Sequence, residues 1–260
     1  MITINPFVDN ILNIAPVYIQ GFLVLMVIFT VGGVILDMMH KKNVKFFFQN
    51  AKKAKLSATK SVSTGEKASI IVKTLAYDVA TSAEFCGVTR RITHLLGMYG
   101  TILFWVSSAV MIFSASSTST IFPMLWHIGA IMTCVGGYWF WFIQRVDVRA
   151  EGNSWSRIVF ADLFVLSLVT TSTFGLLWSY FQSANSNGLA TLFFIMFIIS
   201  NVVLFGGVYW SKFAHMFYKP GAAIQKHLAE ADGSRDDLPE PADLPKQFGL
   251  GIKRSQPQNY

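Results

Sequence analysis

The sequence predicts an all-α integral membrane protein, folded as a bundle of five transmembrane helices. Of its 260 residues, 53% are hydrophobic and only 13% are charged, whereas about 25% of the residues of a typical soluble domain are charged. The apolar residues stand in long uninterrupted blocks instead of alternating with polar residues, so a water-soluble core does not account for them. Five of these blocks reach the roughly 20 residues that a helix needs to cross a bilayer.

Each predicted span is bounded by polar or basic residues, and the five spans cover residues 17–39, 92–113, 121–143, 158–181 and 189–209. A cytoplasmic loop, residues 40–91, separates the first two spans. Within it, residues 66–85 predict an amphipathic helix that rests on the membrane surface or packs under the bundle. The predicted membrane domain is therefore residues 1–219. Residues 220–260 are rich in Pro, Asp, Gly and Lys, which predicts a cytoplasmic tail with little structure of its own.

The 21 Lys and Arg residues predict the orientation of the bundle. All of them lie in the 40–91 loop, between the third and fourth spans or from Lys212 onward, and residues 1–16, 114–120 and 182–188 have none. Because cytoplasmic loops carry an excess of basic residues, we expect the N-terminus outside and the C-terminus in the cytoplasm. In these positions the net charge of +7 meets anionic lipid headgroups, so we expect no nucleic-acid partner.

Two of the five histidines carry the main chemical hypothesis. His94 lies three residues after Arg91 at the cytoplasmic end of the second span, and His215 lies three residues after Lys212, where the fifth span emerges on the same side. Two imidazoles at one depth on two helices can bind a haem iron between them, with the haem propionates turned toward Arg90 and Arg91. The alternative is that both histidines simply contact lipid headgroups.

Two further polar residues fall inside predicted spans. His127 begins the third span near the outer face, about 20 Å from the other two histidines by helical rise. It has no second histidine beside it, which favours a hydrogen-bonding role, either at a quinone pocket or in a purely structural contact. Asp162 lies about one turn inside the fourth span, where a lone charge is unfavourable, and we expect it to pair with Arg157 or Arg91.

The other candidate residues predict no additional site. His40 and His227 are expected to be solvated residues of the loop and the tail. Cys86 and Cys134 are far apart in sequence, which predicts neither a disulfide nor an iron–sulfur or zinc site. Three glycine pairs permit close helix approach and could make room for a macrocycle, although ordinary helix packing explains them equally well: Gly32 with Gly33, Gly136 with Gly137, and Gly206 with Gly207.

Three stretches of the sequence carry a resemblance to a known family: TRRITHLLGMYGTILF, FADLFVLSLVTTSTFGLL and WSKFAHMFYKP. Over nearly the whole chain, the sequence resembles the five-helix membrane cytochrome b subunits of the respiratory nitrate reductase gamma type. It is most similar to the membrane subunits of heterodisulfide-reductase-like and quinone-interacting oxidoreductase complexes of sulfur metabolism, in which SKFAH recurs on the last helix. The resemblance implies a location in the prokaryotic cytoplasmic membrane and one haem b, with His94 and His215 as its axial ligands.

The same resemblance implies a function. Electrons would pass between membrane quinone and a cytoplasmic flavin and iron–sulfur enzyme. Adenylylsulfate reductase is the best candidate for that enzyme. We expect the enzyme to dock on a basic surface that includes Lys52, Lys53 and Lys55. Phe104 and Phe197 stand at or near the positions that hold an outer haem in the nitrate reductase type, which puts an outer haem in doubt. The alternative function is a haem-free membrane anchor that only docks the soluble reductase. A transporter is less favoured, because intramembrane charge is scarce and no repeat is visible.

Overall fold

A computed structural model of the chain describes residues 2–8, 13–83, 85, 87–114, 119–234, 247–248 and 252–253. Its α-helices are α1 Pro16–Lys41, α2 Asn43–Leu56, α3 Thr64–Lys73, α4 Val88–Ser114, α5 Ile121–Trp139, α6 Val146–Arg149, α7 Leu163–Ser183, α8 Asn187–Gly206 and α9 His215–Asp232. The π-helical turns Thr74–Val79 and Phe140–Gln144 follow α3 and α5, and the 3-10 turn Phe160–Asp162 precedes α7. Two-residue strands, β1 Gln247–Phe248 and β2 Ile252–Lys253, pair antiparallel.

Five of the described helices are long and apolar enough to cross a membrane: α1, α4, α5 with its π-helical turn, α7 with its 3-10 turn, and α8. The prediction of a helical chain with five helices of spanning length is confirmed. Helix is the state expected for such segments, because an α-helix bonds its own backbone groups where hydrocarbon offers no partner. The bounds differ from the predicted spans by at most four residues: α4 begins at Val88 instead of residue 92, and α8 ends at Gly206 instead of residue 209.

The chain divides into two compact units, whose boundaries fall within α1, within α4 and before α9. The first, here the bundle unit, comprises Met1–Asp37 and Ile92–Ala214. The second, here the loop–tail unit, comprises Met38–Arg91 and His215–Tyr260. The described parts of the predicted loop and of the predicted tail therefore belong to one unit.

Within the bundle unit, α4 and α5 pack backbone against backbone. A Cβ atom placed on Gly100 would lie 2.7 Å from the Thr133 nitrogen, and one on Gly129 would lie 2.6 Å from the Phe104 nitrogen. One on Gly136 would lie 2.8 Å from the backbone of α4. Small residues permit this approach, because without a hydrophobic driving force between helices in lipid the close packing itself holds them together.

The glycine pairs found in the sequence behave unequally. A Cβ on Gly137 would meet the Val169 side chain of α7, and one on Gly33 would lie 2.8 Å from the Cβ of Val208. Gly32 faces open space. Ordinary helix packing therefore accounts for the close approaches at Gly33, Gly136 and Gly137.

Aromatic rings fill the interior of the bundle unit between α4, α5, α7 and α8. The Phe104 ring lies 4.9 Å from that of Trp126 and 6.4 Å from that of Phe197, and the Trp178 ring lies 5.6 Å from Phe197. Phe104, Trp126 and Trp178 are each at most 1% exposed. Pairs of this kind add about 0.5–1.5 kcal/mol each beyond their buried area, so the cluster fixes how the four helices meet.

The N-terminal segment closes one end of this aromatic cluster. The Asn5 side-chain amide donates to the Met111 carbonyl at 3.1 Å, and the Gln182 amide donates to the Pro6 carbonyl at 3.0 Å. Phe7 packs edge-on against Trp178 at 5.3 Å. Buried backbone carbonyls need hydrogen-bond donors. Here the side-chain amides of Asn5, in the segment, and of Gln182, on α7, donate to them.

Three helices lie wholly within the loop–tail unit: α2, α3 with its π-helical turn, and α9. Both α2 and α3 contact α9, and the backbone N–H groups of Thr59 and Lys60 each donate to the Asp232 carbonyl at 3.0 Å. Two expectations about this unit are wrong. The amphipathic helix begins at Thr64 and its helical course ends at Val79, not at residue 85, and the start of the predicted unstructured tail is helical through Asp232. Packing among the three helices supplies the order that the polar composition of the tail does not indicate.

We expect Gly129→Ala to force α4 and α5 apart, because the added methyl group would overlap the backbone of α4. The free energy of unfolding should fall by about 1–3 kcal/mol, as for other overpacked cores. Gly97→Ala is the matched control on the same interface, since a Cβ there meets no atom within 4 Å. Thermal unfolding midpoints of both variants in detergent test this, and equal midpoints would contradict the backbone contact.

Candidate functional site

The two predicted haem ligands occupy different elements. His94 is half-buried in the second turn of α4 and belongs to the bundle unit, whereas His215 is the first residue of α9 and belongs to the loop–tail unit. Among the described residues, no group of three or more His, Cys, Asp or Glu could hold a metal ion. A haem iron takes only two protein ligands, so that observation does not bear on this pair. The pairing of the two imidazoles stays a prediction.

His215 was expected on the last spanning helix, but it lies beyond the end of that helix. α8 ends at Gly206, and the next residues form turns in which the N–H groups of Trp210 and Ser211 donate to the Gly207 carbonyl at 3.1 and 2.9 Å. Gly206 is the last residue of α8, and its C-cap Gly207 donates its N–H to the Val203 carbonyl at 2.9 Å. A new helix then starts at His215.

The predicted propionate partners, Arg90 and Arg91, have defined surroundings in the loop–tail unit. Arg91 donates from Nε to the Thr81 carbonyl and from Nη2 to the Thr81 hydroxyl, each at 2.7 Å. The guanidinium carbon of Arg90 lies 5.6 Å from the centroid of the Phe85 ring, and the Lys219 ammonium lies 5.1 Å from the same centroid. Two cations therefore share one aromatic ring, an arrangement favoured by the negative potential of its faces.

His127 is a buried bridge between α5 and α7. Its Nδ1 lies 2.7 Å from the Pro123 carbonyl and its Nε2 lies 2.9 Å from the Ser179 hydroxyl, and the residue is 2% exposed. A carbonyl only accepts, so a neutral ring donates from Nδ1 and accepts the Ser179 proton at Nε2. These contacts fit the structural role that the sequence left open, and the quinone role stays a prediction.

The two histidines expected to be solvated differ from each other. His40 lies in the last turn of α1 with an exposed side chain. His227 is half-buried on α9, where its Nε2 lies 2.6 Å from a carboxylate oxygen of Asp78 and its Nδ1 lies 3.0 Å from one of Glu230. Through its contact with Asp78, His227 ties α9 to the π-helical turn after α3. The expectation for His227 is wrong, and nothing local in the sequence relates it to Asp78.

Asp162 pairs with Arg145, and neither predicted partner is correct. The Arg145 Nη2 lies 2.6 Å from an Asp162 carboxylate oxygen that also accepts the Val159 N–H at 3.0 Å, and the two side chains are 4% and 14% exposed. Arg145 also lies over the Trp141 ring, 4.3 Å from its centroid. The pair joins the end of the third span to the start of the fourth. Arg157 instead lies 4.0 Å from Glu151 in an exposed pair.

Two of the buried charges were recognisable in the sequence. Arg145 is the first charged residue after the third span, which marks it as a partner for a carboxylate at the same depth. Asp37 interrupts the apolar part of α1 and is 1% exposed, although charge inside the spans was expected to be scarce.

Cys134 is half-buried on α5, 3.5 Å from the Thr173 hydroxyl, and Cys86 lies outside the described residues.

No protein-family model, curated protein or solved structure matches this chain. The resemblance to the membrane cytochrome b subunits therefore rests on the residues of the chain itself and stays a hypothesis.

We expect Asp162→Asn to destabilise the bundle strongly, because it leaves the Arg145 guanidinium without its counter-charge in a largely buried place. Removing one partner of a buried pair costs about 3–5 kcal/mol. Glu151→Gln, in the exposed pair with Arg157, is the control and should change the free energy of unfolding by less than about 1 kcal/mol. Thermal unfolding of both variants measures the difference, and similar shifts would show that burial of the Arg145 pair has no energetic weight.

Proposed function

We propose that the chain is the membrane subunit of a respiratory electron-transfer complex in the prokaryotic cytoplasmic membrane. It would pass electrons between membrane quinone and a cytoplasmic flavin and iron–sulfur enzyme through one haem b. Adenylylsulfate reductase is the soluble enzyme that the family resemblance favours. The five helices of spanning length support the membrane location, and the distribution of Lys and Arg supports an outside N-terminus.

The observation that carries this proposal is the occurrence of two histidines beside basic residues where the chain enters or leaves its spanning helices. His94 follows Arg90 and Arg91 at the start of α4, and His215 follows Lys212 after the end of α8. The chemistry of this donor set fits haem b: two imidazoles for the axial positions and guanidinium groups for the propionates. When bound, the haem supplies one-electron transfer.

The residues of the chain would bind and orient the cofactor. Thr81 already holds the Arg91 guanidinium through two hydrogen bonds, so little side-chain freedom remains to be lost when that guanidinium meets a carboxylate. His94 is half-buried, and its access to water is thereby reduced. A less polar surrounding of this kind is one of the means by which proteins adjust haem potentials.

The second candidate function is a haem-free anchor that only docks the soluble reductase. The packing at Phe104 and Phe197 favours it, because these residues stand at or near the outer ligand positions of the resembled family. Both rings are part of the tightly packed aromatic cluster with Trp126 and Trp178. That half of the bundle is built as a hydrophobic core, which is what an anchor requires.

We expect the purified protein, expressed with a sufficient supply of haem precursor, to give a b-type reduced-minus-oxidised spectrum. Either His94→Ala or His215→Ala should abolish it, because a six-coordinate iron would lose an axial nitrogen. His40→Ala, which changes an exposed residue at the end of α1, should leave the spectrum intact. A colourless wild-type preparation would decide for the haem-free anchor.

A further inference from the structure

Helix α2 has two different faces. Its inner stripe, Val44, Phe47, Ala51 and Ala54, follows the spacing i, i+3, i+7, i+10, and α2 contacts α9. Ala54 is 2% exposed. The residues between these positions are exposed, and a second stripe, here the outer face, lies about 100° around the helix, one residue on from the inner stripe.

The outer face combines basic and large apolar side chains. It follows the same helical spacing through Lys45, Phe48, Lys52, Lys55 and Leu56, all of them exposed. Phe48 is 65% exposed and Leu56 is 85% exposed, which are high values for apolar side chains in a folded unit. Leaving an apolar side chain of this size in water is about 1.5–3 kcal/mol less favourable in free energy than burying it. The outer face therefore suits a partner surface that can bury apolar side chains and also bind positive charge.

The charge of α2 has one sign. The helix contains four lysines and no Asp or Glu, and among the described residues none of the four has an ion-pair partner. Lys53 lies about 100° around the helix from Lys52, outside the outer face. Docking of a soluble enzyme on Lys52, Lys53 and Lys55 stays a prediction. Anionic phospholipid complements both properties of the outer face, because lysine stems lie along hydrocarbon while their ammonium groups reach the headgroups.

The chain brings α2 to the membrane surface by covalent connection. α1 ends at Lys41 and α2 starts at Asn43, with only Lys42 between them. Consecutive Cα atoms are about 3.8 Å apart, so α2 begins within about 8 Å of the end of a helix of spanning length. Lys42 has a left-handed backbone, with φ 53°, which ends the helical path of α1 before α2 begins.

We propose that α2 is an interfacial helix whose outer face binds anionic phospholipid, with Phe48 and Leu56 inserted at the boundary between headgroups and acyl chains and Lys45, Lys52 and Lys55 on the phosphates. This inference is an alternative to the expectation that the α2 lysines receive an acidic soluble protein. It does not depend on haem binding, so it can fail or hold independently of the proposed electron-transfer role.

The test places p-benzoylphenylalanine at position 48 of the full-length chain and irradiates the purified protein in vesicles of phosphatidylcholine with phosphatidylglycerol. We expect lipid adducts at position 48. The same photoreactive residue at position 47, on the inner face, is the matched control and should give adducts within the chain. Mass spectrometry of the adducts distinguishes lipid from polypeptide.

A charge variant makes the test specific. The substitutions Lys45→Gln, Lys52→Gln and Lys55→Gln together should lower the bound-to-free ratio of α2 on the order of 100-fold, since each lysine near an anionic surface contributes about 1 kcal/mol and 1.4 kcal/mol is tenfold. The lipid adduct at position 48 should fall with it. Lys60→Gln, Lys67→Gln and Lys73→Gln remove the same charge from exposed positions outside α2 and should leave the adduct unchanged.

Three outcomes would overturn the proposal. The first is an absence of lipid adducts at position 48 in anionic vesicles, with each variant retaining the wild-type thermal unfolding midpoint. The second is an adduct yield that is equal with and without phosphatidylglycerol and indifferent to the lysine substitutions. The third is a position-48 adduct in native membranes formed with a soluble acidic protein instead of lipid.

Discussion

The backbone contact between α4 and α5 is the constraint on which the bundle unit depends. Gly100 and Gly129 leave no room for a side chain, so the two helices cross at a fixed register. That register carries Phe104 and Trp126 to adjacent positions, and Trp178 and Phe197 then complete the aromatic cluster from α7 and α8. In lipid, where apolar side chains gain little by leaving their surroundings, such shape matching carries the energy that hydrophobic burial supplies in water.

The parts of the fold that the sequence predicts are those set by single-segment physics. Length and apolar content identify the five spans because hydrocarbon thickness fixes how many residues a span needs. Contacts between residues of different segments are harder to predict from the sequence. Asp162 was expected to pair with Arg157 or Arg91, yet its buried partner is Arg145, which directly follows the π-helical turn after α5.

The candidate site shows the same limit at individual residues. His94 lies on a spanning helix, as predicted, because its position follows from the apolar block around it. His215 starts a separate helix, because α8 ends at Gly206, earlier than its hydropathy indicated. His227 was expected to be solvated, and this was wrong. Its contact with Asp78, 149 positions away in the sequence, leaves no local pattern from which it could be predicted.

Residues next to each candidate ligand make defined contacts, and in each case they belong to the other unit than the ligand: Phe213 to the bundle unit and Arg91 to the loop–tail unit. Phe213, two residues before His215, is 1% exposed, stacks on Trp105 at 5.8 Å and meets the Phe164 ring edge-on at 5.2 Å. Arg91, three residues before His94, is fixed by Thr81. A metal site gains precision when rigid elements and neighbouring side chains position its ligands before the metal binds. If the two histidines bind a haem, these neighbouring contacts would limit how far each ligand can move, and the haem role itself stays a prediction.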